Sequence, residues 1–508
     1  MLEGLRCSYE PPPISRASRS EVPVAIVQPC RVGSLRGSGA QLTTFASPRA
    51  RELRWRSFAE RRGTERATSA GSRQLVSSRL RFLLLQPADT RLLFASTNYR
   101  RLWAIGGLTG VARWLEFVAV AIFAFELTRS PELVALLAVL RMVPYVLLGF
   151  LVGAVADAID RKCLLLASFA AMVLASSTMA IITAAGAATY AAVAAIVMVS
   201  GAFWTTDMPV RRRLLVEAVG TQSVAAALGF DNATMYATRA LGPLIGGATY
   251  QVLGISGIYA LIAMSYLACL VLAARVVVRS QTLPVPSSAR GRLGFLMPPP
   301  ELIFDRRFQI IMGVTLVYNL WCWPFIGMVP VIGQKDFALT PALVGALSAC
   351  DGLGGTLGAM TVGLLAAPRT LFRFYYFGTL ACLSLMLGLA LNLSVGTAVA
   401  ILLMTGVAAA AFSSTRYALI HNIAPPDMRG RATGVLSIFI GSSMLGHWHA
   451  GLLFERLGSV TAMKVMGGEG LAAMLVLAVL WWRTPMHAAV RQPAPETAIG
   501  AGIDARAD

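Results

Sequence analysis

The chain has 508 residues, 56% of them hydrophobic and only 14% charged, with a formal net charge of +19 and a mean hydropathy of +0.66. About a quarter of the residues in a water-soluble globule are charged, so this composition excludes an ordinary soluble domain. The positive excess lies in an N-terminal segment and in alternate short loops. That distribution tracks membrane insertion and argues against a nucleic-acid footprint.

Residues 1–97 are rich in Arg, Ser and Pro, as in the stretch from Arg49 to Arg66, and hold no apolar run long enough to span a bilayer. They read as a basic, disordered extension. Two other readings stay open, an organellar transit-like segment and sequence upstream of the true start. Beyond it the apolar residues gather in blocks of about twenty, the length a helix needs to cross ~30 Å of hydrocarbon. Without water in that layer, each block must satisfy its own backbone groups, which a helix does.

Six blocks are predicted across 98–278, at 102–127, 133–155, 163–185, 189–204, 235–253 and 255–277. A Pro/Ser/Arg-rich linker at 279–307 follows. Six more blocks fill 308–485, at 308–333, 342–365, 374–391, 395–412, 433–453 and 460–482, and a disordered tail occupies 486–508. The predicted fold is therefore an all-α membrane protein of about twelve transmembrane helices in two six-helix bundles. Of the seven cysteines, Cys269, Cys322, Cys350 and Cys382 fall inside spans and Cys163 begins one, without C-x-x-C spacing. They read as small packing residues. No metal site and no cofactor is expected.

Loop charges give an orientation. Arg161, Lys162, Arg211, Arg212, Arg213, Arg290, Arg369 and Arg429 are among those on one set of loops, whereas the opposite set holds Arg129, Lys335, Arg456 and Lys464. Because basic loops stay in the cytoplasm, both termini and the central linker are expected there, with the protein in the cell membrane. An internal repeat is also legible. Leu241–Gly247 aligns with Leu445–Gly451 and Leu253-Gly254 with Leu457-Gly458, 204 positions apart; Ser130-Pro131 aligns with Thr340-Pro341, 210 apart. Two related halves imply a two-fold axis along the membrane normal, with a cavity between them.

Gly153-x-x-x-Asp157-x-x-x-Arg161-Lys162, between spans two and three, resembles the signature of the major facilitator superfamily. The resemblance implies a cytoplasmic gate latched by these residues. Ala158 stands where the family commonly has a basic residue, Asp160 where it has glycine, and the second-half counterpart ending at Arg369 lacks the acid. A plain positive-inside loop would account for the two basic residues alone. Further stretches resemble the enterobactin exporter and macrolide efflux branch: Arg141-Met-Val-Pro144, Pro209-Val-Arg211, Arg239-Ala-Leu-Gly242-Pro243, Tyr318-Asn319 with Pro324, and Pro425 through Arg431. The branch implies proton-driven export of a drug-like or siderophore-like molecule.

Charges inside spans cost ~2.5–3.5 kcal/mol each at mid-helix on insertion scales, so they mark function. Arg113 and Glu116 stand three apart on one face of span one; either they neutralise each other, or Glu116 carries a proton or cationic cargo while Arg113 tunes it. Asp351 in span eight has no in-span partner of opposite sign, which makes it a proton carrier or a hydrated residue near the outer surface. Arg141 and Arg239 fit anionic cargo or interhelical contacts. Gly242, Pro243, Gly246 and Gly247 read as close packing with a bend, while the resemblance adds a link to antiport direction. His447 and His449, two apart, face different sides of a helix and are not joint metal ligands; either is a titratable candidate. No Walker-type loop, H-E-x-x-H or G-x-S-x-G occurs, so an ATP-driven or enzymatic reading lacks a motif. The expected protein is not an enzyme but a secondary transporter, working as a monomer with protons, a small molecule and lipid as partners. An importer or lipid flippase on the same scaffold is the alternative, followed by a membrane-embedded enzyme or a non-transporting receptor.

Overall fold

The computed structural model describes residues 93–158, 161–219, 223–277, 300–391, 394–425 and 428–482; the side chains of 145, 148–158, 225, 300 and 301 lie outside the description. Among the described residues there is helix and no strand. In chain order the helices are α1 (Thr97–Thr128), α2 (Pro131–Ala158), α3 (Arg161–Ala184), α4 (Tyr190–Glu217), a continuous stretch Val224–Ala274, α7 (Arg306–Lys335), α8 (Pro341–Leu365), α9 (Leu371–Leu391), α10 (Val395–Ile423) and a second long stretch Arg429–Trp482.

Neither long stretch is one helix. At 1.5 Å per residue, Val224–Ala274 would reach about 75 Å, more than twice the hydrocarbon thickness. Gly254 breaks it at φ 63°, ψ −168°, and Gly458 breaks the other at φ 74°, ψ 168°. Both values lie where essentially only glycine is comfortable. Contacts show that the chain reverses at each. The Trp103 indole donates to Thr234 at 2.9 Å and Cys269 approaches the Ile105 carbonyl, so both limbs of the first stretch flank the same part of α1. Gly446 packs on Asn319 and Leu320 while Glu469 accepts from the Trp321 indole at 2.8 Å, so both limbs of the second flank one part of α7. The glycines therefore divide the stretches into α5 (224–253), α6 (255–274), α11 (429–457) and α12 (459–482). Among the described residues twelve helices of crossing length result, and Gly254 and Gly458 are the pair that the sequence repeat aligned.

The repeat is also visible at the contact between the halves. Gly247 of α5 packs on Pro341 and Gly345 of α8, and Gly451 of α11 packs on Glu132 and Ala135 of α2. These contacts are counterparts of each other, since Gly247 corresponds to Gly451, Pro341 to Pro131 and Gly345 to Ala135. Lipid offers no hydrophobic drive for helix association, so close approach of small residues supplies dispersion contact instead. The halves are pinned further at the same end. Ser130 donates to Glu455 at 2.8 Å, and the Ala342 amide donates to Gln251 at 3.1 Å.

Several bounds differ from expectation. α4 continues past Trp204 to Glu217 and α5 begins at Val224 rather than near residue 235. The end of the first and start of the second carry Asp207, Arg211 and Asp231, which lower the local hydropathy but are buried by neighbouring helices. Arg211 is thus not a loop charge. The bundle also begins earlier than 98: Leu93 is buried, and the Phe94 ring packs edge-on against Tyr99, Trp103 and Phe230. Ser96 caps α1 by accepting from the Tyr99 amide. Residues 1–92 and the tail from 483 lie outside the described residues, as does the linker apart from its last residues, where a short helix, Pro300–Ile303, forms.

Candidate functional site

Among the described residues, the buried carboxylates of the spans and the arginines that pair with them gather in two places. In the first, α1, α2, α4 and α5 bring together a ladder of alternating charge. Glu116 is 1% exposed; it accepts from Ser200 at 2.6 Å and pairs with Arg141 of α2 at 3.7 Å. Arg113 does not pair with Glu116. One turn lower on α1, it reaches across to Asp207 of α4 at 3.4 Å. Arg211 follows one turn after Asp207 and pairs with Asp231 of α5 at 2.5 Å, where Arg212 also binds at 2.8 Å. The Arg113 and Arg141 guanidinium groups each lie 4.7 Å from the Trp204 ring. The negative ring face adds to what the carboxylates supply. Gly106 of α1 has no side chain because the Arg211 guanidinium occupies that space.

The second place joins the two halves. Arg239 of α5 pairs with Asp351 of α8 at 2.5 Å, with the carboxylate 4% exposed. Asp351 therefore has a partner, supplied by another helix, and is buried, which corrects the reading of it as a hydrated residue near the outer surface. The pairing stayed hidden because the partner sits on the other half. Arg239 also lies 5.2 Å from the Trp114 ring and 5.3 Å from the Trp323 ring, again one from each half. A small recess, with about 330 Å³ of empty space when the open solvent at its mouth is included, is lined here by Trp114, Phe117, Arg239, Pro243, Ser348 and Asp351, among others. Below it, Tyr236 of α5 shares a hydrogen bond with Ser413 of α10 at 2.9 Å.

The remaining candidates distribute as follows. Gly242 packs against Trp114, Gly246 against Leu115 and Gly247 against α8, so the glycine motif of α5 serves close packing on two sides. Pro243 lies within the helix and lines the recess. His447 is buried with its Nδ1 2.7 Å from the Ser443 carbonyl, while His449 is partly exposed and 3.6 Å from Glu469. Among the described residues no cluster of His, Cys, Asp or Glu could hold a metal ion. Of the gate motif, Arg161 pairs with Glu217 at the end of α4. Lys162 opens α3, and Gly153 and Asp157 fall on α2 where side chains lie outside the described residues.

Asp207, Asp231, Ser200, Trp204 and Glu217 were not legible as site residues. One signal was available: Asp207 and Arg211 are spaced i, i+4, the spacing of a helix face, which argues that α4 continues.

A family model described as Major Facilitator Superfamily matches residues 102–443. Among solved structures, the nucleoside transporter NupG superposes with TM-score 0.60 at 14% identity, covering 76% of this chain and 99% of that one. A bacterial homologue of the human lysosomal transporter Spinster, inward-facing and unoccupied, gives 0.59 at 13%, covering 80% and 98%. A D-xylose-proton symporter gives 0.58 at 15%, covering 77% and 98%. At such identities the likeness is one of fold. No curated protein matches by sequence. A family match over two-thirds of the chain, on twelve crossings in two pseudo-symmetric halves with paired charges between them, establishes that this multi-pass membrane protein belongs to the major facilitator superfamily of transporters.

Proposed function

We propose that the protein is a proton-coupled exporter of a small amphipathic molecule, working by alternating access with its termini in the cytoplasm. The observation that carries this reading is the Arg239–Asp351 pair, a buried ion pair whose two members belong to different halves. A proton on Asp351 removes one of the two charges that hold the halves together at this depth. Removing one member of a buried pair costs about 3–5 kcal/mol, enough to shift a two-state equilibrium by more than a hundredfold. Glu116, paired with Arg141 and bonded to Ser200, is a second carboxylate of the same kind. Each inward proton contributes ~2.3 kcal/mol per 100 mV of membrane potential.

The packing of Gly247 and Gly451 closes the end that carries Arg129 and Lys335, the sparsely basic side. With basic loops cytoplasmic, as this reading takes them, that end faces outward, and its close packing supports a state shut toward the outside. The apolar, aromatic lining of the recess between the halves, with one ion pair in its wall, suits an amphipathic cargo.

The test is reconstitution in liposomes with an imposed proton gradient. Cargo movement should collapse when the gradient is dissipated, and Asp351→Asn should uncouple the two fluxes. Movement that persists without any gradient would replace antiport by uniport or lipid flipping.

A further inference from the structure

A second recess, of about 380 Å³ including its mouth, lies within the first half. Its walls hold Arg113, Arg211 and Arg212 against Asp207 and Asp231. Three guanidinium groups and two carboxylates leave a formal excess of one positive charge. The pair that adjoins them, Glu116 with Arg141, is neutral and does not change the sum. The outermost of the three, Arg212, is 30% exposed, so the excess charge sits at the mouth of the recess, partly screened by solvent, where an entering anion would match it. The donors are also incompletely used. Arg211 is 5% exposed, and its Nε has no hydrogen-bond partner among the described residues; nor does that of Arg113. The Arg113–Asp207 contact, at 3.4 Å, is the loosest around the recess. Guanidinium groups with spare donors are suited to bidentate carboxylate or phosphate recognition.

Trp114 lines this recess and also the apolar one between the halves. A single indole thus forms a wall of both a cationic compartment and an aromatic one. We infer that the cargo is an amphipathic anion, whose head is held by Arg113, Arg211 and Arg212 and whose apolar body lies along Trp114 toward Trp323. This rests on the transport reading above and gives its substrate a class. Arg239 is matched one-to-one with Asp351, whereas Arg113, Arg211 and Arg212 share two carboxylates, so the spare charge lies with the three.

The test uses the purified full chain in phosphatidylcholine nanodiscs, with no ion gradient, titrated calorimetrically with three probes of one ring system: 1-naphthylacetate, its methyl ester, and 1-naphthylethylamine. The carboxylate should bind at least tenfold more tightly than the ester or the amine. Arg113→Gln should abolish that preference. Arg212→Gln, at a half-exposed position, should reduce it should the first variant fail to fold, and Trp114→Ala should weaken carboxylate and ester alike. Equal or tighter binding of the ester or amine, no binding of any probe, or a preference that survives in both arginine variants would overturn the inference. Since no gradient is present, this result is independent of whether transport is proton-coupled.

Discussion

Arg239 and Asp351 meet at 2.5 Å across the junction of the two halves, each on a different helix bundle and each largely sealed from solvent. Neither charge is intelligible from its own helix. Together with Trp114 and Trp323, they form a contact that must break if the halves rock apart at this depth.

Breaking the pair on one side only should be worse than removing it. Asp351→Asn leaves Arg239 buried without a counter-charge and should cost about 3–5 kcal/mol, whereas Arg239→Met combined with Asp351→Leu should restore most of that loss. Thermal unfolding in detergent measures both. Gradient-driven transport should be lost in the single and double variants alike, which separates coupling from stability.

Gly254 and Gly458 turn the chain between consecutive crossings in a backbone region where a Cβ is strained. Gly254→Ala and Gly458→Ala should each destabilise by about 1–3 kcal/mol. Gly229 sits in α5 with open space around it and ordinary helical geometry. Its replacement by Ala should be neutral or stabilising by up to ~1 kcal/mol. Melting temperatures of the three variants side by side decide the matter, and equal behaviour would contradict the assignment of the turns.

Gly247 and Gly451 occupy equivalent places in the two contacts between halves, against α8 and α2 respectively. A branched side chain there has no room without separating the helices. Gly247→Val and Gly451→Val should therefore disfavour the closed end and raise the labelling of a cysteine placed at Ser348, in the wall of the recess, by an impermeant reagent added outside. The two variants should act in the same direction because the contacts are related by the pseudo-two-fold.

Arg161 pairs with Glu217 at the edge of the bundle, with both side chains about a third exposed. Pairs this accessible contribute roughly 0–1 kcal/mol to stability. Charge reversal at either position should leave the unfolding temperature nearly unchanged but slow transport, if the loop acts as a gate. The exchange Arg161→Glu with Glu217→Arg should recover rate. A double-mutant cycle on transport rate, with no coupling between the positions, would count against a gating role.

How much of this was legible beforehand depended on range. The fall of hydropathy blocks, the six-plus-six arrangement and the match of Leu253-Gly254 to Leu457-Gly458 are one-dimensional patterns, and the bilayer converts them directly into crossings and turns. Span ends were less legible. Averaging over a window penalised Asp207, Arg211 and Asp231, although neighbouring helices bury them. Arg113 and Glu116 show the same limit at closer quarters. Three positions apart on one helix, they invite pairing with each other, yet α4 and α2 present Asp207 and Arg141, each a better match for one of them.

By itself, then, the sequence determined roughly where the chain crosses the membrane and that it is built twice, because hydrophobic length and repetition are properties of local segments. Only the tertiary structure decided which charge answers which. Partnership depends on the faces that helices turn toward one another, and Arg239 and Asp351, over a hundred residues apart on different halves, become neighbours only once both bundles have packed.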